Sequence, residues 1–391
     1  MAKGGTDVIA IKNANVVLEN EILADGIILI ENNKIFNIGK KDTIDIPKDA
    51  TIIDAKGLYV GPGFVDIHVH GGGEAQFYQD PEKAAAHFLS HGETTVFATL
   101  YYNLNKKDFL DAIDRIKEAI KNGTAKNIKG FYMEGPYMNP KYGASASKNE
   151  WKDEIKPEDY IELIQKAGNL AYVWAVAPER DGIEPFMKYA KDINPEATFA
   201  VGHSEATPDE IEKLKHYGIK IETHCMNATN SKTDWSGTKG AGPDEACLLD
   251  DDIYAELICD SEGIHVNPYL QKLILKIKGI DKVILISDSF FNNEPKPENV
   301  KHITDLSFDE NGNLSGSKLT LDKACRNIVK HTNCTIKDAF LMASTNPARS
   351  LGLDNEIGSL KEGKKANIVF TDDKFNIYKV MLEGKIIKEE I

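Results

Sequence analysis

The sequence predicts an α/β fold: a (β/α)₈ barrel of the TIM type, with a small β-sandwich domain built from both chain termini. Three observations predict it. Eight short apolar runs follow one another between Phe64 and Leu353. Polar, helix-compatible stretches separate most of them, and apolar runs alternating with helices belong to a parallel sheet covered on both faces. Both ends of the chain share a different texture, with β-branched runs split by Asn, Gly and Asp. Eight units suit the ~250 residues that such a barrel takes. A doubly wound open sheet is the alternative, but no GxGxxG follows a first strand to support it.

In chain order, residues 1–60 form the first part of the β domain, with strands expected in "VIAIKNANVVLEN", "GIILIENNKIFNIG" and "ATIIDAKGLYVGPG". Residues 61–357 form the barrel. Its expected strands are "FVDIHVH", "TTVFATL", "IKGFYME", "AYVWAVAP", "ATFAVGH", "IKIETH", "IYAELICD" and "KVILISD". Stretches such as "KKDFLDAIDRIKEAIKNG" and "TPDEIEKLKHYG" read as helices, several opening on Pro or an acidic first turn and closing on Gly. Residues 358–391 return to the β domain with "GSLKEGKKANIVFTD" and "NIYKVMLEGKIIKEE".

Composition limits the function. The 391 residues are 41% hydrophobic and 28% charged, ordinary for a globular enzyme. A net charge of −14 without a basic cluster argues against nucleic-acid binding. No stretch reads as a signal peptide or reaches the ~20 apolar residues of a membrane helix, so no membrane partner is expected. Five cysteines, odd in number and without CxxC spacing, read as reduced thiols of a cytoplasmic protein. Cys225 beside His224 invites a ligand or nucleophile role, but a small buried residue is the favoured reading.

The eight runs end at His70, Leu100, Glu134, Pro178, His203, His224, Asp260 and Asp288. Functional groups of such barrels gather at the C-terminal ends of the strands. His68 and His70 lie two apart in one strand and share a face. Thus His68, His70, Glu134, His203, His224 and Asp288 converge on one rim. Imidazole and carboxylate are ligands of Zn²⁺ and similar cations. Glu134, His203 and His224 make a three-ligand set with an open position, and His68 and His70 make a second site that Glu134 can bridge. Asp288 suits general base and acid. His265, in "SEGIHVNP", is either a substrate contact or an ordinary loop histidine.

These motifs resemble the amidohydrolase superfamily, and within it the N-acetylglucosamine-6-phosphate deacetylases. "GPGFVDIHVHGGG" is similar to the family's first metal strand, "YMEGPYMNP" to its glutamate motif, and "VGHSEAT" and "THCMNAT" to its two histidine motifs. "GIHVNP", "LISDS", "ASTNPARSLGL" and "IGSLKEGKKANIVF" complete the order. A competing branch uses a carboxylated lysine on the fourth strand, where "AYVWAVAPE" has none. The resemblance implies a divalent cofactor, Zn²⁺ first with Fe, Co or Mn as alternatives, at one or two ions per chain. It also implies an N-acetylated sugar phosphate as substrate and a homodimer. His265, Asn227 and Ala228 match substrate-contacting positions.

Two positions depart from the family. The segment "NATNSKTDWSGTKGAGPDEACL" carries no arginine where the family pairs one with the phosphate. Lys232 or Lys239 is the available substitute, without bidentate geometry. "YGASAS" places Ser145 near the family's usual histidine. Hydrolysis of N-acetyl-D-glucosamine 6-phosphate is the leading expectation. N-acetylgalactosamine 6-phosphate, an unphosphorylated N-acetyl sugar, an N-acyl amino acid or a cyclic amide are the alternatives.

Overall fold

The computed structural model describes residues 8–144, 148–233 and 235–389. Each of the eight expected apolar runs forms a parallel strand. We label these barrel strands β1 (Phe64–Val69), β2 (Glu93–Tyr101), β3 (Ile128–Glu134), β4 (Ala171–Val176), β5 (Thr198–Val201), β6 (Ile219–Glu222), β7 (Tyr254–Ile258) and β8 (Val283–Ile286). Neighbours in sequence are neighbours in the sheet throughout. Closure between β8 and β1 is made at the end of β1 and just past the end of β8. Asp288 N–H donates to His68 O at 3.0 Å, and the N–H groups of His70 and Gly71 donate to Ser289 O at 2.9 and 3.0 Å. These bonds therefore hold the first and last rim residues side by side.

One helix follows each strand: α1 (Pro81–Ser90), α2 (Lys106–Asn122), α3 (Pro157–Ala167), α4 (Ile183–Ile193), α5 (Pro208–Lys215), α6 (Pro243–Leu249), α7 (Pro268–Lys278) and α8 (Leu321–Thr332). The local reasons are visible in sequence. The Asn105 side chain accepts the Asp108 N–H at the start of α2, and Gly123 ends it in the left-handed region. Between these caps Phe109, Ala112, Ile113, Ile116 and Ala119 are buried at helical spacing against the barrel. Thr207 and Glu210 form a reciprocal capping box on α5.

The small sheet domain joins both ends of the chain. Strands Ile9–Val17, Ile22–Glu31, Lys34–Lys40, Thr51–Asp54 and Tyr59–Pro62 combine with Ile368–Thr371, Ile377–Leu382 and Lys385–Glu389 in one mixed eight-stranded sheet. The seam is the antiparallel pairing of Tyr59–Pro62 with Ile368–Thr371. Val17, Val369 and Val380 from this sheet share an apolar cluster with Phe64, Ile328 and Phe340 of the barrel, so burial fixes one unit against the other.

Candidate active site

Five strands deliver the site, each at its C-terminal end. His203, His224 and Asp288 take the turn from strand to loop with φ of 45°, 30° and 45°. A left-handed conformation costs a non-glycine residue about 1–3 kcal/mol and persists only where its surroundings enforce it. Here they do. His203 O accepts from Asn139 N–H at 2.9 Å, His224 N–H donates to Glu256 Oε2 at 3.1 Å, and Asp288 O accepts from Ser317 N–H at 2.8 Å. Gly316, at φ +61°, lies so close that a Cβ would stand 2.6 Å from Asp288 O.

The donor atoms form two groups that share one carboxylate. His203 Nε2 and His224 Nε2 are 3.0 Å apart, and both approach Glu134 Oε1, at 2.8 and 3.1 Å. The other oxygen, Glu134 Oε2, lies 3.2 Å from His70 Nε2 and 3.7 Å from His68 Nε2. Asp288 Oδ1 faces the same two histidines, at 3.3 and 3.6 Å. Six ionisable groups, none more than 8% exposed, thus point at one another.

Such an assembly fits a divalent cation. His68 Nε2 is buried without a hydrogen-bond partner. Ligand atoms ~2.0–2.2 Å from a tetrahedral ion stand about 3.3–3.6 Å apart; the contacts of His68 and His70 span 3.2–3.7 Å, and those among Glu134, His203 and His224 are tighter at 2.8–3.1 Å. Burial alone raises the Glu134 carboxyl, but the imidazoles of His203, His224 and His68 outweigh it and hold the group well below its usual range. For Asp288, burial again acts upward, and His70 with His68 keeps it below the ordinary carboxylate range. Both acids are therefore held as anions.

The rim opens into a cleft of about 400 Å³, a size suited to a small ligand. Asn227, Ala228 and His265 line it with His70, Glu134, His203, His224 and Asp288. His265 is oriented from behind. Its Nδ1 lies 3.0 Å from Asp260 Oδ2, its backbone N–H donates to the same oxygen at 2.8 Å, and Nε2 is 3.1 Å from Gly316 O. Burial acts to raise the Asp260 carboxyl, but these donors bring it down to about 2. Asn227 Nδ2 donates to His265 O at 2.7 Å, tying two expected substrate contacts together. Ser145 lies outside the described residues, while Gly143 and Ala144 beside it line the cleft.

Lys239 is not brought to this cleft. Its side chain is 84% exposed and pairs with Glu245 at 3.1 Å. Lys232 sits 3.7 Å from Glu205, again outside the lining. Among the described residues, no lysine or arginine lines the cleft. Cys225 is buried and turned toward Glu222 and Asp244, and burial pushes its thiol well up, which removes it as a nucleophile.

Three features escaped the sequence reading. Glu256, in the middle of β7, reaches His68 Nδ1 at 3.0 Å, and Tyr132 stacks on His68 with ring centroids 4.4 Å apart. The hairpin Leu306–Phe308/Leu314–Ser317 brings Leu314 and Gly316 over the cleft. The only advance signal for Glu256 was a charged residue inside an otherwise apolar strand.

The comparisons with known proteins agree with this construction. The sequence profile of the amidohydrolase family matches residues 59–387, and the chain belongs to that family: it is a hydrolase acting on an amide bond. More particular likenesses lie among deacetylases. The chain is 31% identical over 360 residues to an N-acetylgalactosamine-6-phosphate deacetylase of Escherichia coli O157:H7, covering 87% of this chain and 90% of that protein. It is 28% identical over 409 residues to the N-acetylglucosamine-6-phosphate deacetylase of Bacillus subtilis strain 168, covering 96% of each. The crystal structure of N-acetylglucosamine-6-phosphate deacetylase from Pasteurella multocida superposes with a TM-score of 0.85 at 25% identity, over 98% of this chain and 100% of that one.

Proposed function

We propose that the chain hydrolyses the N-acetyl group of N-acetyl-D-glucosamine 6-phosphate, giving D-glucosamine 6-phosphate and acetate. One observation carries the reading: Glu134 stands between two histidine pairs, with Asp288 beside them, at the floor of a sugar-sized cleft. The likeness to deacetylases over nearly the whole chain supports the substrate class.

Glu134, His203 and His224 would hold the principal ion, and His68 and His70 a second one bridged by the same glutamate. Zn²⁺ is our first choice for this nitrogen and oxygen donor set. When bound, the ion supplies a Lewis acid and brings water toward a pKa of about 7. Asp288, an anion in this setting, takes a proton from the attacking water as its oxygen bonds to the acetyl carbon. The same carboxyl returns that proton to the sugar nitrogen as the C–N bond breaks, leaving a free amine and acetic acid, which ionises to acetate at neutral pH. His265, fixed by Asp260 and Gly316, and Asn227 orient the sugar.

We also read the protein as a homodimer of the cytoplasm. All five cysteines are free thiols, in keeping with a reducing compartment, and no described helix is long and apolar enough to cross a membrane.

A second reading is N-acetylgalactosamine 6-phosphate, favoured by the likeness to the E. coli relative. Acetate release decides between them. Zn²⁺-loaded protein should act on N-acetylglucosamine 6-phosphate at least tenfold faster, by kcat/KM, than on the galactose epimer. The reverse order would establish the second reading. Turnover of neither would sink both.

A further inference from the structure

We infer that Glu256 is a positioning residue that supports both metal subsites through a single carboxylate oxygen. Glu256 is wholly buried on β7. Its Oε2 faces His68 Nδ1 at 3.0 Å and accepts the backbone N–H of His224 at 3.1 Å. His68 belongs to one donor group and His224 to the other, and 155 intervening residues in sequence make that oxygen a long-range tie. An acceptor-only carboxylate holds a proton on Nδ1 of His68, so Nε2 is the nitrogen left to bind an ion. Nε2 is the atom that points at Glu134 and Asp288 and has no hydrogen-bond partner.

The second half of the contact acts on the backbone. His224 is held at φ 30°, a conformation its chain would leave if unsupported. The bond to Glu256 closes the turn that aims His224 Nε2 at Glu134 Oε1, 3.1 Å away. Tyr132, stacked on His68, blocks the ring from rotating to another acceptor. One oxygen therefore supports a residue of each donor group, and its loss should disturb both.

The inference rests on the two-subsite reading above, and the test separates their failures. Metal-free wild-type protein, E256Q and E256L are titrated with Zn²⁺ by calorimetry, and bound metal per chain is measured after gel filtration. Outer-sphere partners of metal-binding histidines typically contribute 10–100-fold to affinity. E256Q keeps an acceptor but loses the charge, so the His68/His70 subsite should weaken about tenfold. E256L strands both N–H groups, so that subsite should weaken about 100-fold, with a smaller loss at the His203/His224 subsite. The order wild type, Gln, Leu is the signature of positioning. Imidazole nitrogen shifts in ¹⁵N-histidine-labelled E256L provide the second readout, since His68 should lose its fixed Nδ1–H tautomer. Two ions bound by both variants with wild-type affinities would overturn the inference while leaving the two-subsite reading intact. Wild-type protein that binds one ion or none would overturn that reading itself.

Discussion

The rim of the barrel and the loop that follows β6 treat their side chains in opposite ways. On the rim, His68, His70, Glu134, His203, His224 and Asp288 are at most 8% exposed, and the three that sit in the left-handed region are each pinned by a backbone hydrogen bond. In the loop, Trp235 is 76% exposed and Lys239 pairs with a surface glutamate. The difference separates two tasks. Cleaving an amide needs charged groups held at fixed distances in a dry setting, which burial and strain supply. The exposed loop carries no such demand and costs the fold little to change.

The largest break in that comparison comes from Glu134, because one carboxylate serves both donor groups. E134Q should lose both ions by metal analysis and reduce kcat/KM by about 10³-fold or more, since each ion contributes several kcal/mol of transition-state stabilisation. Retention of two ions would show that the bridge is a contact of the metal-free arrangement only.

D288N should separate holding from chemistry. The amide keeps the shape but cannot take the proton, so kcat should fall by about 10²–10⁴-fold while bound metal stays near wild type. Near-wild-type turnover would assign the proton transfer to another group.

Gly143 links the rim to the loops above it. At φ +98° it packs where a Cβ would stand 2.2 Å from Tyr102 Oη and 2.5 Å from His203 Nδ1. G143A must therefore displace the loop or the histidine. Misplacing a reacting group by about 1 Å can cost on the order of 10² in rate, so G143A should lower kcat by 10–100-fold, beside a strain cost of about 1–3 kcal/mol in stability. An unchanged kcat would mean that the loop alone gives way.

How much of this was legible in the sequence follows the same division. The eight strands were legible because buried parallel strands leave short apolar runs between helices with ordinary caps. Both caps of α2 and the capping box of α5 are written in local residues. The rim was legible because polar residues at strand ends have no other reason to recur in that position. Glu256 was not, since a residue inside a strand reveals neither which face it takes nor what lies across the barrel. The hairpin over the cleft was also missed: its role depends on Gly316 packing against Asp288, a contact 28 residues distant that no local pattern encodes.

The smallest effect is expected where the sequence reading and the structure part company. The loop offered Lys232 and Lys239 as stand-ins for the missing arginine, yet Lys239 is 84% exposed and already paired with Glu245 at 3.1 Å. A lysine recruited to a substrate phosphate would have to leave its partner and order a long side chain, and exposed ion pairs contribute only about 0–1 kcal/mol in any case. K239A should change KM for a sugar 6-phosphate by less than twofold, and its salt dependence should match that of wild type. Asn227, Ala228 and His265 line the wall of the cleft itself. Asn227 lies in the cleft wall and Lys239 does not, so N227A should reduce the preference for N-acetylglucosamine 6-phosphate over unphosphorylated N-acetylglucosamine more than K239A does. If K239A instead erased that preference, the loop would have to close onto the cleft when substrate binds.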